Sequence, residues 1–177
     1  MKKHLVSINE LPPDGKEFTL DDQEIWLGPI SEFGMDCRII DPLHGKIFVQ
    51  RADEGVLIRG DLRGKIAIPC NRCAEDAIVD INTHFDEYEE IPPEGTHMKD
   101  EQHEGYIVYQ MHAPMLDLGE VGWEQFMLAQ PVQPLCKDEC KGLCPHCGAN
   151  LNNGECGCNS DQGDPRMAAL RGVKISR

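Results

Sequence analysis

No stretch of this 177-residue chain is long and apolar enough to span a bilayer. The N-terminal MKKHLVSINELPPDG carries two lysines, but its apolar run is too short and interrupted for a secretory signal peptide. A cytoplasmic location is therefore expected. Aromatic residues are scarce, at 6%, and the hydrophobic share of 40% predicts a modest core: one domain, with a small appended module. No phosphate-cradling glycine loop, nucleophile elbow or HExxH is present, and no acid/base pair converges in the sequence. These absences point away from an enzyme.

Positive charge is also in short supply. The formal net charge is −14, and it is unevenly spread. Residues 136–177 hold six basic and five acidic residues, whereas residues 1–135 hold eleven basic against twenty-six acidic. A body this acidic is repelled by nucleic acid at long range. Any RNA contact must be local, or must run through a basic partner.

Thiols, by contrast, are abundant. Eight of the nine cysteines fall in pairs: Cys70 and Cys73 (CNRC), Cys136 and Cys140, Cys144 and Cys147 (CPHC), and Cys156 and Cys158 (CGC). In a reducing compartment such pairs act as ligands or catalysts in preference to disulfides, and four thiolates suit a tetrahedral zinc ion. A CxxC knuckle turns both sulfurs toward one ion, and Gly148 supplies the backbone freedom that follows it. Asn152, Asn153 and Gly154 fold the chain back, so that Cys156 and Cys158, read as extended, present both side chains to one face. Cys144, Cys147, Cys156 and Cys158 thus form the first expected zinc site. Cys136 and Cys140 either complete a second site with Cys70 and Cys73 or compete for the first, so one or two ions are expected. His146 is read as an exposed knuckle tip, and His97 and His103 as solvated loop residues. A redox role for CNRC lacks the strand-to-helix context that lowers a thiol pKa. Cys37 reads as a small buried strand residue.

The rest of the chain predicts an α+β fold: an antiparallel, curved β meander with one or two helices and a small C-terminal cysteine-rich segment. The lead-in to Asp22 is irregular, with one strand near Phe18. Residues 35–90 read as β, with a strand from His44 to Arg51 bounded by Pro42 and Gly45, and a turn at Asp53-Glu54-Gly55. Val56, Ile58, Leu62, Ile66 and Ile68 share one strand face, while Arg59, Arg63 and Lys65 share the other. Gly60 and Gly64, on the apolar face, suggest bulges or a bend. Val79, Ile81, Thr83 and Phe85 form a further strand, which places CNRC at a hairpin tip. Residues 91–104 read as a flexible loop, and Tyr106–Gln110 as a short strand. A helix follows from about 118 to 130, capped by Asp117 and ended by Pro131, with Leu118, Val121, Leu128 and Ala129 on one face. Trp123 and Phe126 are expected to pack on the sheet. The body is thus 1–135, the zinc segment 136–160, and 161–177 a short C-terminal helix or tail. Arg59, Arg63 and Lys65, with Arg72 nearby, are either an RNA-facing stripe or a strand face paired with cross-strand acids.

PCNRC after a long strand, the run from Asp117 to Cys136 (DL…LAQP..PLC), CKGLCPHCGANLNNGECGC and the terminal DPRMAAL together resemble the YceD family, formerly a domain of unknown function. The likeness runs from about Met35 onward. The resemblance implies a bacterial cytoplasmic factor that supports accumulation or processing of large-subunit ribosomal RNA and has no catalytic activity. A basic ribosomal protein or assembly factor is the other partner considered. The contrasting expectation is a zinc-stabilised adaptor that uses its acidic surface and does not bind RNA directly.

Overall fold

The computed structural model describes residues 4–92 and 105–158. Alternating apolar residues build a four-stranded antiparallel meander from β2 (Lys16–Leu20), β3 (Arg38–Arg51), β4 (Gly55–Pro69) and β5 (Asp76–Glu90), adjacent in that order. A three-stranded antiparallel sheet contains β1 (Leu5–Ser7), β6 (Ile107–Gln110) and β7 (Ala113–Asp117), with β7 central. Two helices, α1 (Glu24–Glu32) and α2 (Leu118–Ala129), complete the body. The fold is α+β, with a C-terminal cysteine cluster.

The expected face of β4 is the observed one. Val56, Ile58, Leu62 and Ile66 are buried to 1% exposure or less, facing a core that also holds Trp26, Ile81, Leu116 and Phe126. Gly60 and Gly64 mark no bulge in β4 itself, whose register with β5 is unbroken. At Gly60 a Cβ would lie 2.5 Å from both the Phe85 ring and the Lys46 carbonyl, so the glycine makes room for the ring. The register shifts lie instead in β3, between Ile39 and Asp41 and between Asp41 and His44; at the second, opposite Gly64, Leu43 fills the missing side-chain space. Pro42 and Gly45 therefore do not bound the strand. β3 starts at Arg38 and carries Pro42 within the second shift, where its missing N–H costs no ladder bond.

Elsewhere the structure adds elements that were not expected, adjusts some expectations and meets others. α1 is a helix despite Gly28 and Pro29, held by burial of Ile25, Trp26 and Ile30. Cys37 is buried but lies one residue before β3. β5 continues through Glu87 to Glu90; Tyr106 Oη and Gln125 Nε2 both donate to the Glu87 carboxylate and tie α2 to the end of the inner face. Burial, then the Glu87 hydrogen bond, pushes the Tyr106 phenol well above its usual value. Asp117 caps α2 by accepting from the amides of Gly119 (3.1 Å) and Glu120 (3.4 Å). Its own amide donates to the Tyr106 carbonyl. On α2, Phe126 is fully buried and Trp123 half-buried, but Leu128 points outward at 68% exposure. The loop beyond Pro92, with His97 and His103, and the tail from Asn159 lie outside the described residues. Among those described, no helix is long and apolar enough to cross a membrane.

Candidate metal centres

The register that pairs Pro69 with Asp76 leaves Cys70–Glu75 as the tip of the β4–β5 hairpin. There Cys70 and Cys73 meet Cys136 and Cys140, and a few residues away Cys144, Cys147, Cys156 and Cys158 converge. Within each tetrad the sulfurs lie within 4.8 Å of one another. All eight thiols are free. At the tip, Cys73 and Cys136 are 3.6 Å apart, and Cys70 and Cys140 are 3.8 Å apart. Four sulfurs at Zn–S lengths near 2.3 Å from one centre would sit about 3.8 Å apart, whereas a disulfide would require about 2.05 Å. The donor set and its spacing fit a four-thiolate zinc ion. The alternative in which Cys136 and Cys140 compete for the other tetrad is not the arrangement found.

The two CxxC turns share one backbone pattern. In the first, the Cys70 amide donates to Glu75 O (2.8 Å), Ala74 N–H to Cys70 O (2.9 Å), and Arg72 N–H to Cys70 Sγ (3.4 Å). In the second, the Cys144 amide donates to Ala149 O (2.8 Å), Gly148 N–H to Cys144 O (2.9 Å), and His146 N–H to Cys144 Sγ (3.5 Å). The residue after each knuckle has positive φ: 60° at Ala74 and 73° at Gly148. His146 is exposed, and only its backbone takes part. Cys156 and Cys158 are not in a strand; a bend at Gly157 carries the chain between them.

Amide donors acidify the leading thiol of each knuckle. Burial pushes Cys70 up, but the amides of Cys136, Arg72 and Cys73 outweigh it and bring the thiol down to about 6. At Cys144 the amides of Cys147 and His146 bring it to about 6. Each tetrad also holds a thiol pushed up to about 12: Cys136, by burial and then by its neighbouring thiols, and Cys158, chiefly by its hydrogen bond with Cys147. Four sulfurs this close cannot all ionise without a cation among them.

Two side chains that spacing alone did not mark hold the assembly together. Arg72, considered for the basic stripe, instead donates Nη1 to the carbonyls of Cys140 (2.9 Å) and Asp138 (3.4 Å), while its own carbonyl accepts from Leu143 N–H. Asn152, read as a turn residue, donates Nδ2 to Cys140 Sγ (3.2 Å) and accepts from Lys141 N–H (2.9 Å). Asn152 lies in the loop between Cys147 and Cys156, so the loop of one tetrad hydrogen-bonds a sulfur of the other. Its sequence signal was an Asn-Asn-Gly turn placed between ligand pairs; the sulfur it reaches could not be read from spacing. Asn71 N–H, bonded to Pro134 O, adds a further tie between hairpin and segment.

Arg59, Arg63 and Lys65 do share the outer face of β4. Arg59 pairs with Asp86 (2.9 Å), and Lys65 with Asp80 (3.2 Å) and Asp41 (3.7 Å). The hydrogen bond and charge of Asp80, then the charge of Asp41, raise the Lys65 pKa. Arg63 lies between His44 and Asn82 in register, with no ion pair among the described residues. The stripe is therefore largely neutralised where it stands.

No solved structure matches this chain. Uncharacterized proteins of Mycobacterium tuberculosis and Mycobacterium bovis are 31% identical to it over 123 residues, covering 69% of this chain and 57% of theirs. A protein of Arabidopsis thaliana described as large ribosomal RNA subunit accumulation protein YCED homolog 1, chloroplastic, is 25% identical over 156 residues, covering 75% of this chain and 49% of its own. The chain thus spans about half the length of the curated relatives it matches. The model of the family described as large ribosomal RNA subunit accumulation protein YceD matches residues 58–174, from near the start of β4 through both tetrads. The chain belongs to the YceD family.

Proposed function

We propose that this protein is a non-enzymatic cytoplasmic factor that supports accumulation of large-subunit ribosomal RNA, its C-terminal segment folded around two zinc ions. The observation that carries the reading is the pair of closed thiol tetrads lying inside the region matched by the family. Four protein ligands per ion leave no open position for a substrate or an activated water, so such zinc is a structural cross-link. Cys70, Cys73, Cys136 and Cys140 would hold one ion, and Cys144, Cys147, Cys156 and Cys158 the other. Large-subunit ribosomal RNA, measured against small-subunit RNA in cells lacking the protein, should fall and should recover with the wild-type chain. Unchanged ratios would refute the reading.

Engagement of that RNA has two forms to weigh. Direct binding would use Arg59, Arg63 and Lys65, and removing each cation that neutralises a phosphate should flatten the salt dependence of log affinity by about one unit. The ion pairs of Arg59 and Lys65 favour the second form, an adaptor whose acidic surface engages a basic protein. Replacing all three by Gln separates the two without adding repulsion beside Asp80 and Asp86. Loss of salt-sensitive RNA binding would establish the direct form, and unchanged binding the adaptor.

A further inference from the structure

The two tetrads are covered unequally. At the hairpin tip, Cys70, Cys73 and Cys140 are at most 4% exposed and share an apolar cluster with Ala77 and Leu135. In the local tetrad only Cys144 is buried; Cys156 is half-buried, and Cys147 and Cys158 are exposed. The backbone around that pair is open as well. Residues 145–149 and 153–155 are exposed without interruption. A Cβ built at Gly148, Gly154 or Gly157 would meet nothing within 4 Å among the described residues. Cys147 and Cys158 are also hydrogen-bonded to each other, inside a tetrad whose sulfurs all lie within 4.8 Å. Zinc ligation keeps such sulfurs as thiolates, the nucleophilic form. An accessible thiolate with a second one in reach is the arrangement that oxidants convert to a disulfide.

We propose that Cys147 and Cys158 are a site of reversible oxidative modification, where a peroxide forms a disulfide and frees the zinc of the local tetrad while the tip tetrad keeps its own. One thiolate of the pair attacks a peroxide oxygen; the O–O bond breaks, hydroxide leaves and a sulfenic acid forms. The other thiolate attacks that sulfur, the S–O bond breaks and a second hydroxide leaves. Two electrons pass from the two thiolates to one hydrogen peroxide, which becomes two hydroxide ions. Cys144 and Cys156 remain as half of a tetrahedral ligand set, too few for a closed site. A dithiol reductant reverses the step by thiol–disulfide exchange and returns all four ligands. At the tip, attack requires the buried sulfurs to be exposed first by local opening. The inference rests on the reading that both tetrads hold zinc.

The test treats the full, zinc-loaded chain with hydrogen peroxide and follows bound zinc by elemental analysis after desalting. Mass mapping of alkylated peptides locates any disulfide. One ion should leave about tenfold or more faster than the other, together with the appearance of a Cys147–Cys158 bridge. Dithiothreitol with added zinc should restore both ions. Cys158→His keeps a zinc ligand but removes the thiol needed for the bridge, so its local zinc should leave severalfold more slowly. If that variant does not load, the bridge mapped in the wild type decides. Cys37→Ala removes the lone buried thiol and should leave the release unchanged. The proposal is overturned if both ions leave together, if the bridge forms at another pair, or if the cysteines pass to sulfinic acid without a bridge. It is overturned equally if zinc-loaded Cys158→His releases as fast as the wild type. Zinc per chain before oxidation separates the two readings. An empty local tetrad defeats the two-zinc reading and the inference with it; a filled one that keeps its zinc under peroxide defeats the inference alone.

Discussion

The two thiol tetrads have the same four ligand types and the same knuckle hydrogen bonds, yet they are built over very different lengths of chain. The one at the hairpin tip joins Cys70 and Cys73 to Cys136 and Cys140, across more than sixty residues, and three of its four cysteines are at most 4% exposed. The other is local, from Cys144 to Cys158, and only Cys144 is buried. Closing a long loop costs more chain entropy than closing a short one, so a cross-link there stabilises the whole fold more. Around the tip tetrad lies a small apolar cluster of its own, Ala77 and Leu135 among it, separate from the main core. The tip tetrad fastens the segment to the body; the local tetrad shapes the segment itself.

The largest expected difference follows directly. Cys140→Ser should lower global stability on the order of 3–5 kcal/mol, the scale of losing a long-range cross-link. Cys147→Ser should cost about 1 kcal/mol or less, because its site opens without unfolding the sheet. Paired thermal melts followed at the β-sheet signal check this, and equal losses would erase the distinction. Exposure also predicts order of release: under a chelator, one zinc should leave fast and the second slowly. In Cys147→Ser only the slow phase should remain.

A glycine comparison gives the next effect. Gly142 and Gly148 have nearly equal φ, 74° and 73°, so alanine carries similar backbone strain at either, about 1 kcal/mol. They differ in surroundings. A Cβ at Gly142 would lie 2.9 Å from the Arg72 carbonyl oxygen, while nothing lies within 4 Å at Gly148. Ala74 already holds the Gly148 position in the other knuckle, at φ 60°. Gly142→Ala should therefore destabilise the chain by about 1 kcal/mol more than Gly148→Ala, since the clash is with backbone and cannot be relieved by a rotamer. Equal denaturant midpoints for the two would show that segment and hairpin do not pack as described.

The smallest effect tests the link between the sites. Asn152→Ala removes the donor to Cys140 Sγ, and should cost about 1 kcal/mol and speed zinc loss from the tip tetrad. Release from the local tetrad, in whose loop Asn152 sits, should change less. Faster release from the local site alone would mean that the Asn152 hydrogen bond does not carry coupling.

Much of this was legible in the sequence, for physical reasons. Alternation along β4 and β5 announced which face is buried, because a strand's period of two leaves no other choice. Asp117 announced α2 through an oxygen placed for the free amides of its first turn. α1 was hidden by Gly28-Pro29, whose cost is offset only by tertiary burial of Trp26 and its neighbours. The β6–β7 hairpin was hidden because its two turn residues, Met111 and His112, take positive φ (46° and 65°) without the Asn-Gly signature that normally marks such turns. Leu128 was placed on the buried face of α2 by its apolarity alone, though the inward positions go to Leu118, Val121, Gln125 and Phe126. At the site, spacing was enough to join Cys144 and Cys147 to Cys156 and Cys158, but not to say whether Cys136 and Cys140 go to the hairpin tip or to that set. That choice depends on the hairpin tip meeting Pro134 and Leu143, contacts that exist only after the sheet has formed.

The central claim is that one closed zinc site pins the C-terminal segment to the sheet while a second organises the segment. The most direct measurement is zinc per chain, by elemental analysis of protein purified without added metal, in wild type, Cys70→Ser and Cys147→Ser. The account predicts two zinc ions in the wild type and one in each variant, since each substitution breaks a different tetrad. A wild-type value near one that Cys70→Ser leaves unchanged would contradict it.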